Sequence, residues 1–196
     1  MKRVFDLSLA VIAALILALP ALVIACLIKA TSKGPALHWS KRVGRDNRIF
    51  LMPKFRTMRT DTPQVATHLL TDSRKWITPV GRILRITSLD ELPQLYNIFT
   101  GSMSFVGPRP ALFNQDDLVA LRTEAGVSRM LPGLTGWAQI NGRDEISIPE
   151  KVLLDKYYMD HQSLLFDLKI LLLTFVKVLR REGIVQAGEE SRRKAA

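Results

Sequence analysis

The chain has 196 residues, a length suited to one domain rather than two. Its 28 Lys and Arg against 18 Asp and Glu leave a formal net charge of +10, which selects an anionic partner: nucleic acid, acidic lipid headgroups or a phosphorylated substrate. A single cysteine, Cys26, excludes an internal disulfide framework and a cysteine-based metal site, and fits a reducing cytoplasmic setting.

Met1-Lys2-Arg3 leads into an apolar run from Leu7 to Ile28, interrupted in character only by Ser8 and Pro20. As a straight helix the run is about 33 Å long, enough for a hydrocarbon core of about 30 Å. It is followed by Lys29, Lys33 and a basic segment rather than a small-residue cleavage site, which argues against a secretory signal peptide. Two arrangements stay open. A single crossing keeps Lys29, Lys33, Lys41, Arg42, Arg45 and Arg48 in the cytoplasm and exports Lys2 and Arg3. A helix that enters, bends at Pro20 and leaves on the same side keeps both basic ends inside. Pro20 gives such a bend a cause, because it lacks an N–H and clashes with the Ile16 carbonyl.

Ala36–Ser40 and Ile49–Met52, joined through Gly44-Arg45-Asp46-Asn47, predict a β-hairpin with a longer loop. Lys54–Arg59 is too short to classify by periodicity, and Thr60–Lys75 predicts a polar surface excursion. Thr87-Ser88-Leu89-Asp90-Glu91-Leu92-Pro93 then places two adjacent carboxylates at what should be the first turn of a helix, where Pro93 is tolerated. Two meanings compete there. Ser88-x-x-Glu91 reads as a capping box, while the positive end of a helix favours an ionised Asp90 with phosphates docked beside it.

Gly101 predicts the stop of that helix, and Met103–Val106 a short strand. Gly107-Pro108-Arg109-Pro110 is rigid turn chemistry that fixes where Arg109 points. Asn114–Gly126 predicts an amphipathic helix with Asp116 and Asp117 in a solvated first turn. Residues 131–144 form a Gly-rich loop region, and Ser147-x-x-Glu150 with Pro149 starts a helix running to about His161. In the last helix, Leu164 to Arg181, Asp167, Thr174, Lys177 and Arg181 share one side opposite a broad apolar face. That pattern suits either a helix lying in a membrane interface or a core helix. The tail from Ala187 predicts disorder.

Neither a P-loop nor a GxGxxG stretch is present, which argues against a kinase or a dinucleotide enzyme. His38, His68 and His161 lack metal-ligand spacing and read as incidental. What gathers instead is a set of cations in Gly- and Pro-bounded contexts, namely Lys54, Arg56, Arg85, Arg109 and Arg143, around the Asp90–Glu91 pair. Such cations could hold a diphosphate. The carboxylate pair could hold Mg²⁺, an ion that favours oxygen ligands shared with phosphate.

Lys54-Phe55-Arg56-Thr57-Met58, Ser88–Asn97, Met103–Pro110 and Pro132–Arg143, with Asp155, Tyr158, Ser163 and Asp167, closely resemble the bacterial sugar transferase family, the small monotopic phosphoglycosyl transferases. The resemblance implies an enzyme that moves a sugar-1-phosphate from a UDP-sugar to polyprenyl (undecaprenyl) phosphate, at the cytoplasmic face of the bacterial inner membrane. Glycoconjugate assembly would start there. By the same resemblance Asp90 is the nucleophile, forming an aspartyl phospho-sugar with release of UMP, and Glu91 is its partner. Mg²⁺ is the cofactor, with Asp90 and Glu91 as its ligands. Lys54, Arg85 and Arg143 lie near the phosphates, as do Arg56 and Arg109. The resemblance also implies a re-entrant N-terminal hairpin, although the family's bend often has Ser before proline and Leu19 stands here.

The expected architecture is a helix-rich α+β fold. It comprises a re-entrant membrane helix hairpin at 1–34, a catalytic domain at 35–184 with a small β-hairpin and amphipathic interfacial helices, and a disordered tail at 185–196. Membrane lipid is an expected partner and nucleic acid is not. Exposed apolar surface provides for a homo-oligomer without setting its stoichiometry. The competing function is a membrane-anchored basic binding module without catalysis. Against it, the cations sit beside carboxylates rather than in a stripe interleaved with aromatics.

Overall fold

The apolar N-terminal run folds as one helix, α1 (Lys2–Thr31), hydrogen-bonded as a helix on both sides of Pro20. The structure, a computed structural model, describes residues 1–62, 73–142 and 146–180. Most of the expected excursion at 60–75, Arg143, Arg181 and the tail from 185 lie outside the described residues. Helix α1 is long and apolar enough to cross a membrane, with a mean hydropathy of 3.1 over its most apolar window. It buries Asp6, Ala10, Ile24 and Ile28 against the rest of the chain. Val11, Ile12, Leu15, Ile16, Leu19, Leu22 and Val23 remain exposed.

Both ends of α1 are attached to one body. At its start Lys2 Nζ contacts Asp167 Oδ2 at 2.6 Å, Arg3 donates to the Ile98 and Phe99 carbonyls, and Asp6 Oδ1 accepts from Phe105 N–H at 3.3 Å. At its end Ile24 and Ile28 pack with Phe55 and Leu84. Just beyond, the Arg56 guanidinium donates to the carbonyls of Ser32 and Lys33.

Strands β1 (Leu37–Val43) and β2 (Ile49–Phe55) form the expected antiparallel hairpin, in register from Leu37↔Phe55 to Val43↔Ile49. Asp46 and Asn47 take positive φ in its loop, residue types that tolerate the left-handed region. Helix α2 (Pro79–Ile86) starts at Thr78, whose Oγ1 accepts from Gly81 N–H at 2.9 Å, with Pro79 in the first turn. It packs closely on the chain leaving β2, since a Cβ on Gly81 would stand 2.0 Å from the Thr57 carbonyl oxygen.

Residues Leu89–Gln94 form a 3₁₀ turn rather than the first turn of an α-helix, and α3 (Leu95–Thr100) begins only after Pro93. Ser88 sits at φ 56 with no side-chain cap, so no capping box forms there. Gly101 ends α3 at φ +83, as expected. Strand β3 (Ser104–Val106) pairs in parallel with β4 (Gly133–Thr135), a strand inside the stretch that reads as loop in the sequence. Three residues flanked by Gly and Pro carry no alternation, so the pairing has no sequence signal. It depends on close backbone approach, because a Cβ on Gly133 would lie 2.1 Å from Gly107 N.

Helix α4 (Asp116–Glu124) has the expected acidic first turn, and α5 (Trp137–Ile140) is a short addition after β4. Helix α6 (Ile148–Asp160) carries the expected capping box, Ser147 with Glu150. A central cluster of Ala10, Met52, Ile98, Met103, Phe105, Val106, Ile140, Tyr158 and Ile170 joins α1, the hairpin, β3 and the C-terminal helices.

Helix α7 (Leu164–Arg180) has two faces, but they are turned opposite to a helix presenting its polar stripe to headgroups. Asp167 is buried between Lys2 and the Tyr158 hydroxyl, Thr174 Oγ1 meets Thr135 Oγ1 at 2.7 Å, and Lys177 donates to the Ile140 carbonyl. These three polar groups all have partners on the domain, so the side that carries them faces inward. Leu165, Leu168, Leu172 and Phe175 face outward and are exposed.

Candidate active site

The site forms where three local structures meet: the face of the hairpin that carries Lys54, the 3₁₀ turn that carries Asp90 and Glu91, and the turn that carries Arg109. Helix α3, which continues directly from the 3₁₀ turn, is tied to the hairpin and to the chain before β3. Asn97 on α3 donates to the Leu51 carbonyl of β2 at 2.9 Å, and Met103 N–H donates to Asn97 O at 3.0 Å. The Arg109 turn is braced from below by buried Arg122 on α4. Arg122 donates to the Arg109 carbonyl at 2.7 Å while Nε and Nη2 both contact Asp155 Oδ2, at 3.0 and 2.6 Å. Pro108 and Pro110 offer no N–H, so this guanidinium supplies order that the turn's own backbone cannot.

Glu91 is the electrostatic centre. Its Oε1 accepts from Lys54 Nζ at 3.0 Å and from Arg109 Nη2 at 3.0 Å. Only 14% of its side chain is exposed. Burial opposes its charge, yet Lys54 and then Arg109, by charge and by hydrogen bond, hold its carboxyl well below the usual carboxylate range. Glu91 is therefore an ionised anchor for two cations, not a helix cap.

Asp90 differs. Among the described residues its carboxylate has no hydrogen bond or ion pair, although Lys54, Arg85 and Arg109 all act on it through space. Burial pushes its carboxyl above the ordinary value, Lys54 pulls it down, and Glu91 pushes it up again. The structure thus separates two neighbouring carboxylates into one locked and one free.

Arg85, on the last turn of α2, donates from Nε to Thr57 Oγ1 at 2.9 Å and faces Asp90. Burial lowers its affinity for a proton while Asp90 raises it. Lys54 is likewise pulled down by burial and raised by Glu91. Arg56 is not brought into this group: it is buried, and its guanidinium is engaged by Ser32 and Lys33 at the exit of α1. Arg56 lies just past the end of β2, where strand alternation no longer sets its direction and the carbonyls at the exit of α1 claim its guanidinium. Arg143 lies outside the described residues.

Two residues at the site were not legible as such. Arg42 reaches the Arg109 turn, donating from Nη1 to Pro110 O at 3.3 Å and from Nε to Ser40 Oγ at 3.1 Å. Burial and then Arg109 pull its guanidinium down to about 10. His38 stands directly opposite Lys54 in the hairpin register, and burial, Lys54 and Arg42 all hold it towards its neutral form. A period-two count back from Arg42 places Ser40 and His38 on its face, but which face needed the register with Lys54.

A carboxylate pair with a surplus of cations in one partly buried place can receive phosphate groups. In agreement with that chemistry, residues 1–181 match the family described as bacterial sugar transferase, and the chain belongs to that family. It is 42% identical over 190 residues to an uncharacterised sugar transferase, EpsL, of Bacillus subtilis, covering 96% of this chain and 92% of that one. It is 36% identical to the undecaprenyl-phosphate galactose phosphotransferase of Salmonella typhimurium and 38% identical to the UDP-glucose:undecaprenyl-phosphate glucose-1-phosphate transferase of Escherichia coli. Those matches take in 93% and 90% of this chain, which spans 41% and 40% of the two longer proteins.

Proposed function

We propose that this protein transfers a sugar-1-phosphate from a UDP-sugar to polyprenyl phosphate, undecaprenyl phosphate being the acceptor that the relatives' names suggest. The observation that carries this reading is the contrast between Glu91, committed to Lys54 and Arg109, and Asp90, uncommitted beside them. In the first displacement an ionised Asp90 oxygen attacks the phosphorus that bears the sugar. An aspartyl–phosphate bond forms as the bond to UMP breaks. In the second, an oxygen of the acceptor phosphate attacks the same phosphorus, the aspartyl bond breaks, and Asp90 returns as a carboxylate. Covalent catalysis of this kind divides one difficult transfer into two displacements. A carboxylate whose proton affinity is raised is also the better nucleophile once ionised. Lys54, Arg85 and Arg109 orient the diphosphate and offset the charge that gathers on the leaving UMP.

The donor set also fits Mg²⁺. Asp90 and Glu91 Oε2, which makes no hydrogen bond among the described residues, supply oxygens from adjacent residues, few enough for an ion that completes its shell with water and substrate phosphate. Bound there, Mg²⁺ would neutralise diphosphate charge.

We further propose a monotopic placement, with α1 re-entrant and the outward apolar face of α7 in the lipid of the inner membrane's cytoplasmic face. The attachment of both ends of α1 to one domain supports it, since such a helix cannot leave its ends on opposite sides of a bilayer without breaking one set of contacts. The test of the chemistry is purified protein with Mg²⁺, polyprenyl phosphate and a panel of UDP-sugars, read as UMP release. Asp90→Asn is expected to abolish release, and mass spectrometry of the wild type with donor alone is expected to find the adduct on the Asp90 peptide. Turnover retained in that variant, or an adduct on another side chain, would remove Asp90 from its role.

A further inference from the structure

We propose that Arg42 is a further substrate-binding residue of this site, forming with Arg109 a subsite for a phosphate group. The inference rests on the transfer reading above and names a ligand for a side chain that the reading does not use. Arg42 is carried by β1 on the face of the hairpin shared by Lys54, the alternation running His38, Ser40, Arg42 opposite Lys54, Met52, Phe50. Its backbone is pinned to the Arg109 turn: Arg42 bridges to Leu112, and Val43 N–H donates to Ala111 O at 3.0 Å.

The side chain is aimed as well. Nε donates to Ser40 Oγ and Nη1 to Pro110 O, while Nη2 has no protein partner among the described residues. No carboxylate lies within ion-pair distance of Arg42 among the described residues, and the nearby charge that acts on it most strongly is Arg109. Glu91 does not neutralise it, because Lys54 and Arg109 already converge on that carboxylate. The half-buried Arg42 guanidinium thus feels the Arg109 charge with no carboxylate paired to it among the described residues. A phosphate group received between Arg42 and the Arg109 turn offsets that charge and takes up the Arg42 Nη2 donor in the planar, forked geometry that arginine supplies. A purely structural role would need only the Pro110 contact, which is long at 3.3 Å.

The phosphate belongs either to the donor diphosphate or to the acceptor monoester, and kinetics separates them. Arg42→Gln, Arg42→Lys and, as a control on the same hairpin, exposed Arg45→Gln are compared with wild type in detergent. Initial rates are measured with each substrate varied in turn, and binding of inorganic pyrophosphate and of inorganic phosphate is measured by calorimetry. The expected result is a KM raised at least tenfold in Arg42→Gln for one substrate, matched by a similar loss of affinity for pyrophosphate if that substrate is the donor, or for phosphate if it is the acceptor. Arg42→Lys should recover part of the effect, Arg45→Gln should show none, and Tm should hold. Unchanged KM for both substrates and unchanged anion binding in Arg42→Gln would overturn the subsite. A fall in kcat with both KM values intact would overturn it too, by assigning Arg42 to positioning. Failure of the transfer reading is distinct: the wild type itself would then release no UMP.

Discussion

Asp90 and Glu91 are neighbours in sequence with opposite electrostatic fates, and their stability effects should differ in sign. The fold lowers the pKa of Glu91, so its contribution to stability is present above the ordinary glutamate value and lost as pH falls through the folded one. Glu91→Gln should therefore destabilise the protein by about 3 kcal/mol at neutral pH, because it leaves Lys54 and Arg109 without their counterion. In chemical denaturation the gap to wild type should close only below the ordinary glutamate pKa. The fold raises the pKa of Asp90, so an ionised Asp90 costs stability at neutral pH. Asp90→Asn should hold or raise Tm while transfer is lost; a marked fall in Tm would mean that the carboxylate has a structural partner. The same shift sets a pH limit. With donor alone, the single-turnover UMP burst should decline as pH drops through a value above the ordinary aspartate pKa of about 3.9, because the nucleophile is protonated there. A burst constant down to about pH 4 contradicts that assignment.

At the scale of elements, legibility followed the length of the pattern. The hairpin, the Gly101 stop and the Ser147–Glu150 box were readable because alternation, a left-handed glycine and a reciprocal cap are local devices. Ser88-x-x-Glu91 has the same box spelling and does not make one, since Lys54 and Arg109 offer Glu91 stronger partners than a backbone N–H. The β3–β4 pair was illegible because its two halves lie far apart in sequence and its requirement is steric rather than periodic. Gly133→Ala should cost at least about 2 kcal/mol, since the new Cβ meets Gly107 N at 2.1 Å and backbone must shift. The loss is expected in both Tm and transfer rate, because the displaced residue adjoins the Arg109 turn. An unchanged thermal midpoint would show that the pair yields without cost.

For the molecule as a whole, α1 and α7 present apolar side chains outward while Lys2, Arg3, Asp6, Asp167, Thr174 and Lys177 are held by the domain. Lys2, Arg3 and Asp6 are engaged at one end of α1, and Ser32 and Lys33 at the other. In intact cells, cysteines placed singly near Met1 and near Lys33, in a background lacking Cys26, should both resist a membrane-impermeant maleimide added outside. Both should react in inside-out vesicles. Labelling of the Met1 position from outside would establish a crossing helix and sink the re-entrant placement. The basic N-terminus and the basic segment after α1 left this choice open, because charge bias orients a crossing but does not require one.

The sequence by itself determined the net charge of +10, the apolar N-terminal helix, the hairpin, and the Asp90–Glu91 pair with five candidate cations, Lys54, Arg56, Arg85, Arg109 and Arg143. Each is encoded by composition, periodicity or a short motif. Only the tertiary structure decided that Glu91 is locked and Asp90 free, that Arg56 serves the exit of α1, that Arg42 and Arg122 attend the Arg109 turn, and that the polar side of α7 faces inward. Those outcomes depend on which distant groups arrive within about 3 Å of one another, and hydrogen bonds and ion pairs of that reach depend on packing that no local pattern encodes.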